Sequence, residues 1–164
     1  MSIAVDIDET IIDTSRRRWV VWRQVLDRDL PYEAIRKSYS AGLPAGAIAD
    51  DDMWYRFWSL MLCTDERGIE LLSLDKPYPH APEVLKRWSV NHEIVYFTGR
   101  PANMYDLTSE ELREFGFPNE NTDLVMLNLK DSWKWFIDFS LSLQYRSKLF
   151  SKVDQKHKVL RVIE

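Results

Sequence analysis

The sequence predicts an α/β protein, a parallel sheet with helices on both faces and a helical cap inserted into it. Three observations predict it. Short runs rich in β-branched residues occur at residues 2–7, 93–97 and 123–127, each the length of a buried strand. Helical periodicity separates the second run from the third and precedes the second, which is the pattern of parallel strands joined by crossover helices. The connection after the first run is far too long for one such helix.

The first run ends abruptly in acids, as a buried strand does when its carboxyl end opens onto a site. Residues 14–78 then carry two amphipathic patterns, Trp19, Trp22 and Leu26, followed by Met53, Trp54, Phe57, Trp58 and Met61, with a Gly/Pro-broken stretch at residues 40–46 between them. This spacing predicts a cap over residues 14–78 and a core made from residues 1–13 and 79–164. Pro82 suits the first turn of a helix on which Val84, Leu85 and Trp88 recur at helical spacing. The second strand breaks at Thr98-Gly99-Arg100-Pro101. Thr108 with Glu111 forms a candidate capping box, Gly116 a helix stop, and Phe117-Pro118-Asn119 the turn into the third strand. Beyond it, Trp133, Phe136, Ile137 and Ser140 keep helical spacing, and residues 159–163 read either as a fourth strand or as the first turns of a helix.

A chain of 164 residues suits one domain carrying a smaller insertion. Its 45% hydrophobic and 29% charged residues describe a soluble globular protein rather than a disordered one. A net charge of −4 argues against a general nucleic-acid binder, which needs a basic surface to displace counterions. The single cysteine, Cys63, excludes an internal disulfide framework and a multi-cysteine zinc site, and its apolar neighbours mark it as a small buried hydrophobe. No apolar run reaches the ~18 residues of a membrane span, and the start lacks a basic signal region, so a cytoplasmic location is expected. His80, His92 and His157 lack metal-ligand spacing.

Chemistry concentrates at two strand ends. Asp6-Ile7-Asp8-Glu9-Thr10 places two carboxylates one residue apart where open α/β sheets hold their ligands. One can attack as a nucleophile while the other serves as general acid and base. Two acids so close repel, which implies a divalent cation, and Mg²⁺ with its demand for oxygen ligands suits them. Asp-x-Asp alone also fits a solvated turn. Thr98, Gly99 and Arg100 at the second strand end supply a hydroxyl, an unhindered backbone N–H and a guanidinium, a set that can bind a phosphoryl oxygen.

These two elements, in this order and each ending a strand, resemble the haloacid dehalogenase-like (HAD) hydrolases. The resemblance implies a Rossmann-like core, with Asp6 as nucleophile and Mg²⁺ ligand. It makes Asp8 the acid/base and a metal ligand through its backbone carbonyl, and it gives Thr98 and the Gly99 N–H the transferring phosphoryl group. Asp8 and Thr10 together resemble the phosphatase and phosphomutase branches. The family also needs a lysine: Lys148 if residues 159–163 form a strand, Lys156 if they form a helix, with Lys152 between them. It needs an acid after the fourth strand as well, which is either Glu164 or a residue beyond the end of this chain. The expected activity is that of a Mg²⁺-dependent phosphomonoester hydrolase working through an aspartyl-phosphate on a small phosphorylated metabolite or nucleotide. A phosphomutase, or a non-catalytic regulatory domain of the same fold, is the alternative. Arg16-Arg17-Arg18 reads as a solvated first turn or as a contact for an anionic substrate, and the cap tryptophans as cap core or as a platform for a base.

Overall fold

Ser2–Asp6, the first of the β-branched runs, forms strand β1, and Glu93–Pro101 forms the central strand β4 of a three-stranded parallel sheet ordered β1-β4-β5, with β5 at Thr122–Leu127. This computed structural model describes residues 1–36, 43–44, 47–120 and 122–127. Ala4 lies opposite Val95 and Asp6, the last residue of β1, opposite Phe97, while β4 runs on through Thr98-Gly99-Arg100 to Pro101 instead of breaking at Thr98 as expected. On the far edge the register of β4 against β5 shifts between Thr98 and Pro101. That irregularity falls on the Thr98-Gly99-Arg100 segment, as bulges beside sites tend to do.

Both crossovers step the same way across the sheet, so right-handed connections put their helices on one face. Accordingly Leu85 of α5 (Ala81–Ser89) and Leu112 of α6 (Tyr105–Glu114) pack with Val5, Ile7, Ile94 and Tyr96 in a single apolar cluster. Pro82 sits in the first turn of α5, and Gly116 follows α6 with φ 74°, a left-handed conformation that glycine adopts without penalty. Val84 and Trp88 lie at the helical spacing expected of them, yet both are exposed, leaving Leu85 to anchor α5. The opposite face carries Ala4 and Val95. The helix expected there from Trp133, Phe136 and Ile137 lies outside the described residues, as does the fourth strand expected at residues 159–163.

The long connection leaves and rejoins the sheet through a two-stranded antiparallel ribbon, β2 (Ile12–Asp13) with β3 (Lys76–Pro77). Between them run α1 (Ser15–Leu26), α2 (Glu33–Arg36), α3 (Asp51–Met61) and α4 (Glu66–Leu71). Asp50 and Asp65 cap α3 and α4, their carboxylates accepting the N–H groups of Met53 at 2.8 Å and Gly68 at 2.7 Å. These helices bury a core of their own, separate from that of the sheet. Trp22 stacks on Phe57 at 4.3 Å, and Trp54 and Trp58 meet Phe57 edge-on. The aromatic stripes of α1 and α3 therefore supply packing surface, with Trp22 and Phe57 fully enclosed and Trp54 and Trp58 half-buried. Trp19 stands at the margin, its indole N–H bonded to the Leu30 carbonyl at 2.7 Å.

Candidate active site

After Asp6 the chain turns back on itself. The Ile7 carbonyl accepts the N–H groups of Thr10, Ile11 and Ile12, and the Glu9 N–H bonds to the Ile12 carbonyl at 2.8 Å. This knot holds the acidic loop against the sheet and fixes where each side chain emerges. Thr10 Oγ1 donates to Asp6 Oδ2 at 3.2 Å, which orients the half-buried Asp6 carboxylate. Glu9 occupies the left-handed region at φ 62°, a conformation that costs a residue with a side chain about 1 kcal/mol. Its carboxylate accepts both the N–H of Thr14, at 3.1 Å, and the hydroxyl of Thr14, at 2.6 Å, and pairs with Arg18 at 3.0 Å. Helix α1 has no acid in its own first turn. Glu9 brings a negative charge to that end, where the helix dipole favours one.

Asp8 and the Thr98-Gly99-Arg100 segment meet although some ninety residues separate them. Thr98 Oγ1 donates to Asp8 Oδ2 at 2.9 Å and in turn accepts the Arg100 N–H at 3.0 Å. Arg100 does not extend toward solvent. Its Nε and Nη2 fork over Asp8, with Nη2 to Oδ1 at 2.8 Å, while Nη1 reaches Glu111 Oε2 at 2.5 Å and Thr108 Oγ1 at 3.2 Å. A guanidinium so engaged faces carboxylates at every nitrogen, and the phosphoryl contact expected for Arg100 finds no geometric support. Gly99, between them, is half-buried.

Desolvation raises the pKa of Asp8, but the charge and hydrogen bonds of Arg100, aided by Arg17 and Thr98, outweigh it and hold the carboxyl below its usual range. Burial works against the Arg100 charge as well, and Asp8 and Glu111 more than restore it. The pair is thus an ionised carboxylate locked to an ionised guanidinium.

Four members of this cluster escaped sequence reasoning in that role. Thr108 and Glu111, expected as a capping box, lie inside α6 rather than at its start, because the helix begins at Tyr105. One turn apart on the same side, they face Arg100 instead of solvent. Arg17, expected on a solvated turn, is 2% exposed and pairs at 2.9 Å with Asp75, whose side chain is fully buried. Asp75 Oδ2 also lies 3.6 Å from Arg100 Nη2. Of the neighbouring arginines, Arg16 is exposed and Arg18 is taken up by Glu9. Three consecutive arginines at a helix start carry no sign of which one turns inward; the position of Asp75 decides it. Cys63 is buried as expected, its thiol pushed up to about 11 by desolvation.

Among the described residues no group of three or more His, Cys, Asp or Glu side chains is placed to hold a metal ion. The donors on hand are the Asp6 carboxylate and the Asp8 main-chain carbonyl, both hard oxygens of the kind Mg²⁺ takes. Lys148, Lys152, Lys156 and Glu164, the expected lysine candidates and the expected further metal ligand, lie outside the described residues.

Comparison with known proteins gives one informative similarity. A Bacillus cereus protein named "Putative nucleotidase" is 25% identical over 146 residues, spanning 88% of this chain and 74% of that protein. No family model matches the chain, and no solved structure matches it significantly.

Proposed function

We propose that the chain is a Mg²⁺-dependent phosphomonoester hydrolase of the HAD-like class, with Asp6 as nucleophile and nucleoside monophosphates as the first substrate class to test. One observation carries the reading. Thr98, in the carboxyl half of β4, bonds directly to Asp8 just past the end of β1, at 2.9 Å, so two short motifs remote in sequence meet toward the carboxyl edge of a parallel sheet. The similarity to a nucleotidase-named protein supports a hydrolase acting on phosphorylated substrates.

The chemistry follows from the two carboxylates. Asp6 attacks phosphorus, the bond to the leaving oxygen breaks, and that oxygen receives a proton from Asp8, which Arg100 keeps ionised at rest and which takes the proton up when the negatively charged phosphate ester binds beside it. An aspartyl-phosphate remains on Asp6. Asp8, now a carboxylate, takes a proton from the attacking water as phosphate departs, which regenerates both groups. The ionised form that Arg100 favours is the one this second half requires. The Gly99 N–H would receive a phosphoryl oxygen, since the neighbouring Arg100 N–H is bonded to Thr98 Oγ1. Mg²⁺ would be held by the Asp6 carboxylate and the Asp8 carbonyl and would supply positive charge against the phosphoryl group. The helices between β2 and β3 would act as the cap, limiting access by water and by large substrates.

The test is phosphate release from a panel of nucleoside monophosphates, sugar phosphates and aryl phosphates, with Mg²⁺ and with EDTA. Release from at least one class, lost in EDTA and in Asp6→Asn, is expected. Release that is undiminished in Asp6→Asn refutes a covalent role for Asp6. No release from any ester refutes the enzyme reading and favours the regulatory domain.

A further inference from the structure

We propose that Arg100 is the positioning residue for Asp8, and that Glu111 and Asp75 hold the guanidinium in the one orientation that lets it do so. This rests on the phosphatase reading and extends it to residues that touch no substrate.

The case begins with cost. Arg17, Arg100 and Glu111 are 2%, 4% and 7% exposed, and each buried charge forfeits several kcal/mol of hydration. Apolar side chains of like volume would generally serve stability as well or better. A cluster of this kind at the foot of an acidic motif needs a use beyond stability. Its geometry supplies one.

A two-pronged fork fixes the plane of a carboxylate as well as its distance. Arg100 donates from Nη2 to Asp8 Oδ1 at 2.8 Å and from Nε to both oxygens, Oδ1 at 3.1 Å and Oδ2 at 3.2 Å, while Thr98 also holds Oδ2 at 2.9 Å. Both carboxylate oxygens of Asp8 are therefore fixed. The guanidinium is fixed in turn. Rotating it to release Asp8 would break the Nη1 bonds to Glu111 and Thr108. Asp75, lying between Arg17 and Arg100, ties the same guanidinium to helix α1. The helical segment and the acid/base thus share one set of charges, and seating of α1 bears on how firmly Asp8 is held.

The experiment compares wild type with Arg100→Gln, Arg100→Lys and Glu111→Gln, each checked by thermal melt. 4-Nitrophenyl phosphate with Mg²⁺ is the probe. Its leaving group departs without a proton, so attack by Asp6 survives imperfect placement of Asp8 while attack by water does not. Alongside kcat and KM, the assay measures the fraction of enzyme carrying hydroxylamine-labile phosphate in the steady state. For Arg100→Gln we expect kcat to fall about 100-fold, the low end for loss of general acid–base help, with KM falling alongside it, kcat/KM changed by less than about threefold and the phosphorylated fraction raised, because the slowed step follows formation of the phosphoryl-enzyme. Arg100→Lys keeps the charge and loses the fork, so it should resemble Arg100→Gln. Glu111→Gln keeps shape and fold while loosening Nη1, and should change the same quantities in the same direction by about 3- to 10-fold.

A merely structural role would lower the amount of active enzyme without changing the phosphorylated fraction of what remains. Unchanged occupancy in both Arg100→Gln and Glu111→Gln, with an active wild type, overturns the inference alone. Full activity in Arg100→Lys overturns it too, by showing that charge suffices. A wild type that releases no phosphate overturns the phosphatase reading and this inference together. Should Arg100→Gln fail to fold, Glu111→Gln decides the matter by the same readout.

Discussion

Asp75→Asn should remove a steep pH dependence from the stability of this protein. Three carboxyls, Asp8, Asp75 and Glu111, share two guanidiniums, Arg17 and Arg100, so one carboxyl can keep its proton and leave the cluster neutral. Asp75 is the most deeply buried, and Arg17 Nη2, 2.9 Å from its Oδ2, faces it as a charge without the alignment of a hydrogen bond. Burial, reinforced by Glu111 and opposed by Arg17 and Arg100, pushes its pKa from 3.8 up to about 8. Between those values the folded protein holds a proton that the unfolded chain has released. The folded state binds more protons there, so the contribution of Asp75 is complete below the unfolded pKa and is lost as pH rises toward 8. The slope is about 1.4 kcal/mol per pH unit, or about 4 kcal/mol between pH 5 and pH 8. Asparagine mimics the protonated carboxyl in shape and cannot ionise. Urea unfolding followed by tryptophan fluorescence at pH 5, 6, 7 and 8 gives the stability difference between wild type and variant, in which the other titrating groups largely cancel. Wild type should lose ground steadily, the gap between midpoints moving by about 2 M at an m-value near 2 kcal/mol/M. A gap independent of pH refutes the argument. Such a result would show that Arg17 and Arg100 keep Asp75 ionised in the folded state as well.

Asp6→Asn should bring phosphate release below detection while changing stability by no more than about 1 kcal/mol, since it alters charge and not shape at a half-buried position. A phosphate-release assay beside a thermal melt checks both halves. Phe57→Ala should cost about 3–5 kcal/mol, because Phe57 is 1% exposed between Trp22, Trp54 and Trp58. A melting temperature lowered by about 10 °C or more is expected, and a drop under about 3 °C would show that the aromatic cluster is not a core. Gly68→Ala should destabilise by about 1–3 kcal/mol, against the usual gain for this exchange within a helix. A Cβ there would come within 2.7 Å of the Leu60 carbonyl oxygen and 2.9 Å of the Cys63 Cα, both backbone atoms. A urea midpoint equal to or above that of wild type would count against the close approach.

Several features were legible because they depend on short stretches of chain. Three β-branched runs gave three parallel strands, the aromatic stripes of α1 and α3 gave two helices, and Gly116 marked the end of α6. Periodicity reports which face of an element is apolar, and that property is local. Val84 and Trp88 show its limit. They keep the spacing of a buried face, but what lies across from them is set by other parts of the fold, and they remain exposed.

The sequence by itself determined the α/β class and the acidic turn after β1, since each follows from residue type and spacing within a few positions, whereas the hydroxyl–glycine–arginine segment expected to end the second strand lies within β4. Tertiary structure alone decided what Arg100 does. Whether a guanidinium reaches out to an anion or folds back onto a carboxylate depends on the charges brought near it by remote segments. Here Asp8, Asp75 and Glu111 arrive from three separate parts of the chain. The same holds for Arg17, which differs from its arginine neighbours only in facing Asp75. A buried charge is stable only where its partners are, and no local pattern records where distant partners will come to rest.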